Sequence, residues 1–199
     1  MLRLAERRVV IVGGGSVAVR RARAMLEARA EVHVIAPEFD PALEEMAVTL
    51  HPRRYRDGDL AEAYMVVIAT DDAAVNEDVA AEADRRCVLA NRADRLEAGD
   101  VIIPAHGRRG PVTLAVYTQG ISAAAGADLR DTLMDAIDPD VLTLLETVAP
   151  YRQRCRAEIA NARQRQDLLR AMTGERAMEI LKQSGVRGLK LHCEALLKA

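Results

Sequence analysis

Arg8-Val9-Val10-Ile11-Val12-Gly13-Gly14-Gly15-Ser16-Val17-Ala18 sets four consecutive β-formers directly before three glycines, and an alanine- and arginine-rich helical pattern starts at once. The segment reads as a strand, a tight turn and a helix N-terminus. Its glycines follow the G-x-G-x-x-A spacing of the dinucleotide fingerprint. Gly13 allows the sharp turn. Gly15 has no Cβ, so a pyrophosphate can approach its backbone. Ala18 is small enough for the helix to pack closely on a sheet. The free N–H groups of the first helical turn, with Gly14, Ser16 and Val17, then face the phosphates. The plain alternative is an ordinary strand-to-helix turn.

Outward from this turn the chain alternates. The first helix runs from about Val17 to Ala28, and Glu31 to Ile35 reads as a second strand ended by Pro37. Pro41 to Met46 predicts a short helix and Thr49 to Tyr55 a weak strand. Asp57-Gly58-Asp59 is a turn before another short helix. Met65 to Ala69 is a continuous apolar run, as expected of a strand buried on both faces of a parallel sheet. A helix follows over Ala73 to Arg86, then a strand over Cys87 to Ala90. This alternation defines an α/β, Rossmann-like, doubly wound parallel sheet over residues 1–103. Gly99 to Val101 leads into a short strand ending at Pro104. Arg108 to Pro111 is a turn, and Val112 to Tyr117 alternates like an antiparallel strand. From Ser122 the chain is helical, with breaks near Asp138-Pro139, Thr173-Gly174 and Ser184-Gly185. A small β region over 104–136 and a helical domain over 137–199 follow.

The 199 residues, half of them apolar, suffice for one α/β core with an appendage. Formal net charge is −2, with an acidic excess before residue 141 and a basic excess after it. The basic part has Tyr151 as its one aromatic, which argues against nucleic-acid binding by base stacking. Cys87, Cys155 and Cys193 are far apart and form no C-x-x-C pair, so a reducing cytoplasm fits best. No histidine pair has ligand spacing, so no resident metal is expected. No signal peptide and no membrane-length apolar run is read.

Several motifs then line up in order: Val12 to Arg21, Ala69-Thr70-Asp71-Asp72 with Val75-Asn76, Asn91 to Asp94, Ile103-Pro104-Ala105, Gly110-Pro111-Val112, and Thr118 to Ser122 with Leu129-Arg130. Over roughly residues 7–160 this series resembles the siroheme synthase N-terminal family. Members act as precorrin-2 dehydrogenases, some also as sirohydrochlorin ferrochelatases. The resemblance implies NAD-dependent oxidation of precorrin-2 to sirohydrochlorin, with Fe²⁺ as a substrate where chelation follows to give siroheme. It also implies a homodimer in which residues 104–136 are the dimerisation region. Departures are Ala123, where the family usually has proline, and Val101-Ile102, where an aromatic often stands. The methyltransferase domain fused to some members has no counterpart in these residues.

The resemblance puts the family's key aspartate at Asp94, just beyond a strand end. The chemistry needs a base: as hydride leaves the macrocycle a proton must leave too, and metal insertion must remove pyrrole N–H protons. The competing role for Asp94 is capping, because Asp94 and Glu97 have capping-box-like spacing. Pro37 and Glu38 end the second strand, where the adenosine ribose normally lies. No arginine follows directly, which favours NAD over NADP. Thr70 and Asp71 end another strand at the same sheet edge; capping of the next helix is their alternative. In the resemblance, the loop from Thr118 to Ser122 faces the tetrapyrrole. In the resemblance, Thr118 matches a phosphorylatable serine of some members. Capping is the alternative for Ser122. Arg20, Arg21, Arg108 and Arg109 could take the carboxylates of the substrate, or lie on solvated faces. His106 is a further cleft candidate. Two other classes stay open: a nucleotide-sensing module of the potassium-uptake type, and an NAD-dependent oxidoreductase of another acidic substrate.

Overall fold

The computed structural model describes residues 2–198. The chain divides between Ile103 and Pro104 into two compact units.

The first unit is a five-stranded parallel sheet of order β3-β2-β1-β4-β5. Its strands are β1 (Arg8–Val12), β2 (Glu31–Ala36), β3 (Thr49–Pro52), β4 (Met65–Ile68) and β5 (Leu89–Arg92). Helices α1 (Ser16–Glu27), α2 (Pro41–Glu44) and α3 (Ala73–Arg86) connect them. The apolar runs pack on both faces. Val9 and Ile11 of β1 join Ala18, Ala22 and Met25 of α1 on one side. Val10 and Val12 join Val79 and Ala83 of α3 on the other. Each fully buried valine, isoleucine or methionine side chain among them contributes roughly 1.5–3 kcal/mol.

The doubly wound sheet agrees with the sequence reading, but several boundaries move. The strand expected at Cys87 begins at Leu89. Cys87 instead ends α3 in the left-handed conformation, φ 55. No helix forms after Asp57-Gly58-Asp59, where residues 57–62 are turns. Residues 101–104 form no strand. Asp100 and Val101 meet the outer edge of β5: the Ala90 N–H donates to Asp100 Oδ2 at 3.0 Å, and Val101 N–H donates to the Ala90 carbonyl at 3.0 Å. Asn91 Nδ2 donates to the Val101 carbonyl at 2.7 Å.

The second unit begins with an antiparallel hairpin of β6 (Ala105–Arg109) and β7 (Val112–Val116) around Gly110-Pro111. Gly110 takes φ 55, which the tight turn requires. Helix α4 (Ala123–Asp135) follows, then α5 (Pro139–Glu158), α6 (Ala162–Thr173) and α7 (Glu175–Lys198). Asp138 caps α5 ahead of Pro139, and Gly185 kinks α7 with φ 64 and ψ −168. A further break, at residues 159–161, carries no Gly or Pro; Asn161 caps α6 there.

Leu144, Tyr151, Met172 and Leu189 form the helical core together with Cys155 and Cys193. Burial pushes the Cys193 thiol up to about 11, with the Cys155 thiol adding to it. Cys87 is exposed. A maleimide or Ellman titration of the native protein should therefore find one fast thiol, Cys87. The other two should react only on denaturation.

Candidate functional site

The winding of the sheet reverses between β1 and β4, and ligands of open α/β sheets bind outside the strand carboxyl ends at that point. A cleft of about 810 Å³ lies there. Gly13, Gly14, Gly15, Ser16, Val17, Pro37, Glu38, Thr70 and Asp71 all line it.

The three glycines are required for different reasons. Gly13 sits at φ +124, and a Cβ there would lie 2.1 Å from the Ala69 carbonyl oxygen. A Cβ on Gly14 would lie 2.0 Å from the Glu38 carbonyl oxygen, because the Asp40 N–H donates to the Gly14 carbonyl at 2.8 Å. Gly15 has an ordinary φ of −88, and a Cβ there would meet no atom within 4 Å. Internal packing thus demands glycine at 13 and 14 but not at 15. Gly15 caps α1 without any side-chain bond, so the first-turn N–H groups are left for an anion. These features fit the pyrophosphate of a dinucleotide.

Glu38 is exposed at the cleft, whereas Asp40 is committed to capping α2, its Oδ1 accepting from Ala42 N–H at 3.0 Å. Arg54 and Tyr55 also line the cleft, and no sequence motif points to them. The available signal was the parallel pairing of β3 with β2, which carries the residues after Pro52 to the same crevice. Tyr55 is held by Glu82, a fully buried carboxylate that accepts from its hydroxyl. Glu82 also accepts from Gly58 N–H at 3.0 Å, Leu60 N–H at 3.3 Å and Arg86 Nε at 2.6 Å. Burial alone would raise the Glu82 pKa; these donors outweigh it and hold the carboxyl below the usual range.

Asp94 follows the carboxyl end of β5, with its side chain 29% exposed. Arg92 grips both of its oxygens, Nε to Oδ1 at 3.1 Å and Nη2 to Oδ2 at 2.8 Å. This contact, against the opposing effect of burial, holds the Asp94 carboxyl below its ordinary value. The competing capping box with Glu97 is not formed. The 3₁₀ turn at Leu96–Ala98 has Arg95 as its cap residue and no side-chain cap bond. Capping of α3 falls to Asp72, which accepts from Ala74 and Val75 N–H, and not to Thr70 or Asp71. The Thr70 hydroxyl instead donates to Asn76 Oδ1 at 2.6 Å.

Arg20 is exposed on α1. Arg21 is half-buried and its Nη1 donates to the Ile103 carbonyl at 3.4 Å. In the second unit, Ser122 caps α4 by accepting from Ala125 N–H at 3.1 Å. The Thr118 hydroxyl donates to the Ser122 carbonyl at 2.9 Å across a turn in which Gln119 and Gly120 both have positive φ. His106 Nδ1 stands 3.0 Å from the Pro104 carbonyl. Arg109 is occupied with the end of α4, donating to the Met134 and Ile137 carbonyls, which removes it from the candidates for substrate carboxylates. No group of three potential ligands that could hold a metal ion occurs among the described residues. No described helix is long and apolar enough to cross a membrane.

The sheet, the glycine turn and the crevice define a dinucleotide-binding fold. A family model described as NAD(P)-binding matches residues 1–105. The chain is 30% identical to the precorrin-2 dehydrogenase of Bacillus subtilis over 155 residues, covering 76% of this chain and 95% of that protein. It is 33% identical over 169 residues to the siroheme synthase of Acinetobacter baylyi, covering 82% of this chain and 37% of that protein. The solved structure of SirC, a precorrin-2 dehydrogenase, superposes with TM-score 0.79 at 26% identity, covering 98% of both chains. The chain belongs to the family of siroheme synthase N-terminal domains and precorrin-2 dehydrogenases. It spans about a third of the length of the siroheme synthases it matches, 31–37%.

Proposed function

We propose that this chain oxidises precorrin-2 to sirohydrochlorin with NAD⁺. The observation that carries the reading is the short hydrogen-bonded path from the dinucleotide cleft, through half-buried Thr70 and buried Asn76, to the part-exposed carboxylate of Asp94. When bound in the cleft, NAD⁺ supplies the hydride acceptor. The chain's own residues do the rest. The α1 N-terminus and glycine turn hold the pyrophosphate. Glu38 meets the adenosine ribose. Asp94, ionised and accessible, takes the proton that must leave the macrocycle as hydride departs. Arg20 and Arg21 meet the carboxylates of the substrate. Anaerobic incubation with precorrin-2 and NAD⁺, followed by absorbance spectroscopy, tests this: sirohydrochlorin and NADH should appear together, and their absence overturns it.

Fe²⁺ insertion is the accompanying reading, with iron as substrate. An ionised, part-exposed carboxylate can also accept pyrrole N–H protons, and adding Fe²⁺ to the product mixture reads this out as siroheme. Homodimerisation through the second unit is supported by its exposed apolar side chains, Ile121 at 85% and Tyr117 at 49% exposure, with Leu129 and Leu133. The three free cysteines support a cytoplasmic location.

NAD⁺ should bind more tightly than NADP⁺. The Glu38 carboxylate at the ribose end would repel a 2′-phosphate, and a like-charge contact at a partly exposed site is worth about tenfold in affinity or more. Titration of both dinucleotides checks this, and Glu38→Gln should narrow the gap.

A further inference from the structure

Asp94 lies in a turn beyond the end of its strand, and its orientation depends on its neighbours. Arg92, the last residue of β5, is 4% exposed at its side chain and meets both carboxylate oxygens with a two-pronged grip. The same Nη2 also donates to Glu77 Oε1 of α3 at 2.9 Å, and Glu77 is in turn 3.2 Å from Arg95 Nη1. The guanidinium is therefore fixed from two sides. Asn76, 2% exposed on α3, donates through Nδ2 to Asp94 Oδ2 at 3.4 Å and to the Thr70 carbonyl at 3.0 Å. Its Oδ1 takes the Thr70 hydroxyl. One buried amide thus joins the wall of the dinucleotide cleft to the carboxylate.

We propose that Arg92 is a positioning residue for the reaction: its fork fixes the direction in which Asp94 presents its free side, and Asn76 ties that carboxylate to the cofactor cleft. The proposal rests on Asp94 being the reacting carboxylate. A buried arginine with a bidentate partner is suited to this because its planar fork sets an angle as well as a distance, which a lysine ammonium cannot do.

The charged groups facing Asp94 are Arg92 from β5, Glu77 from α3 and Arg95 from the following turn. Arg92 favours the ionised form and Glu77 opposes it, so loss of Arg92 must raise the proton affinity of Asp94. The acid limb of kcat/KM, set by the ionised base, then moves to higher pH.

The test compares wild type, Arg92→Met and Arg92→Lys. Two readouts are taken: a carbon-detected NMR titration of the Asp94 carboxyl in the protein alone, and the pH profile of kcat/KM with precorrin-2 and NAD⁺. In Arg92→Met both midpoints should rise by about one to three pH units. kcat should fall by about a hundredfold through misorientation, with KM for NAD⁺ little changed. Arg92→Lys should return the midpoint most of the way without restoring kcat, and it keeps the test open if the methionine variant does not fold. A folded, NAD⁺-binding Arg92→Met protein with an unmoved Asp94 midpoint overturns the proposal. A midpoint that moves in a protein whose wild type leaves precorrin-2 untouched upholds the grip and removes the substrate reading instead.

Discussion

Asp94→Ala is expected to bind NAD⁺ as wild type does and to lose dehydrogenation of precorrin-2 by about 10²- to 10⁴-fold, the range that a positioned proton acceptor contributes. The separation of the two effects follows from placement. Asp94 is absent from the lining of the dinucleotide cleft and reaches it only through Asn76 and Thr70. Its proton affinity is held down by Arg92. The side chain is therefore fully ionised across the neutral range, and its value lies in being aimed and always available rather than in being strongly basic. The measurement is the initial rate of NADH formation under anaerobic conditions, beside an NAD⁺ titration of the same preparation. An unchanged rate would remove Asp94 from the chemistry. Asp94→Asn keeps the shape but offers Arg92 one neutral acceptor in place of two charged ones, so it should fold with reduced stability while showing the same loss of rate.

Gly13→Ala should destabilise the first unit by about 3 kcal/mol or more and abolish dinucleotide binding, because it combines a strained backbone angle with a clash against backbone. The added methyl would meet the Ala69 carbonyl oxygen, and that carbonyl cannot withdraw, since the Ala69 N–H is bonded to the Val12 carbonyl at 2.9 Å. Gly15→Ala is the informative partner. Its φ suits alanine and nothing in the protein crowds the position, so the melting temperature should hold or rise, by the equivalent of about 0.4–1 kcal/mol. Its NAD⁺ affinity should nonetheless fall, because the methyl would occupy the space left for the pyrophosphate. Paired thermal melts and NAD⁺ titrations distinguish the two. Equal affinity in Gly15→Ala and wild type would place the phosphates elsewhere.

The sheet was legible because its strands advertise themselves. Met65 to Ile68 and Val9 to Val12 are unbroken apolar runs, and only a strand covered on both faces needs such a run. β5 was read two residues early because its second half is Asn91 and Arg92, which look like surface residues. Both are buried, Asn91 against the Val101 carbonyl and Arg92 between two carboxylates. A charge on a strand that is buried because one partner comes from a distant helix leaves no periodic trace in sequence. Arg54 and Tyr55 were missed for a related reason: they enter the cleft by strand adjacency, not by motif. In the helical part, breaks marked by Pro or Gly were visible. The one capped by Asn161 was not, and Pro150 sits within α5 without ending it.

The segment from Gly99 to Val101 bears on how this protein behaves at high concentration. Parallel sheets expose two outer strands, each a template on which a foreign chain can add itself. Here the main-chain groups of Ala90 on β5 are already spent on Asp100 and Val101, without a sixth strand being built. At the opposite end β3 is four residues long and terminates in Pro52, which has no N–H to offer. The sheet is thus guarded against fibrillar growth at both margins, and Asp100→Ala, which frees the Ala90 N–H, marks the place where that protection would first give way.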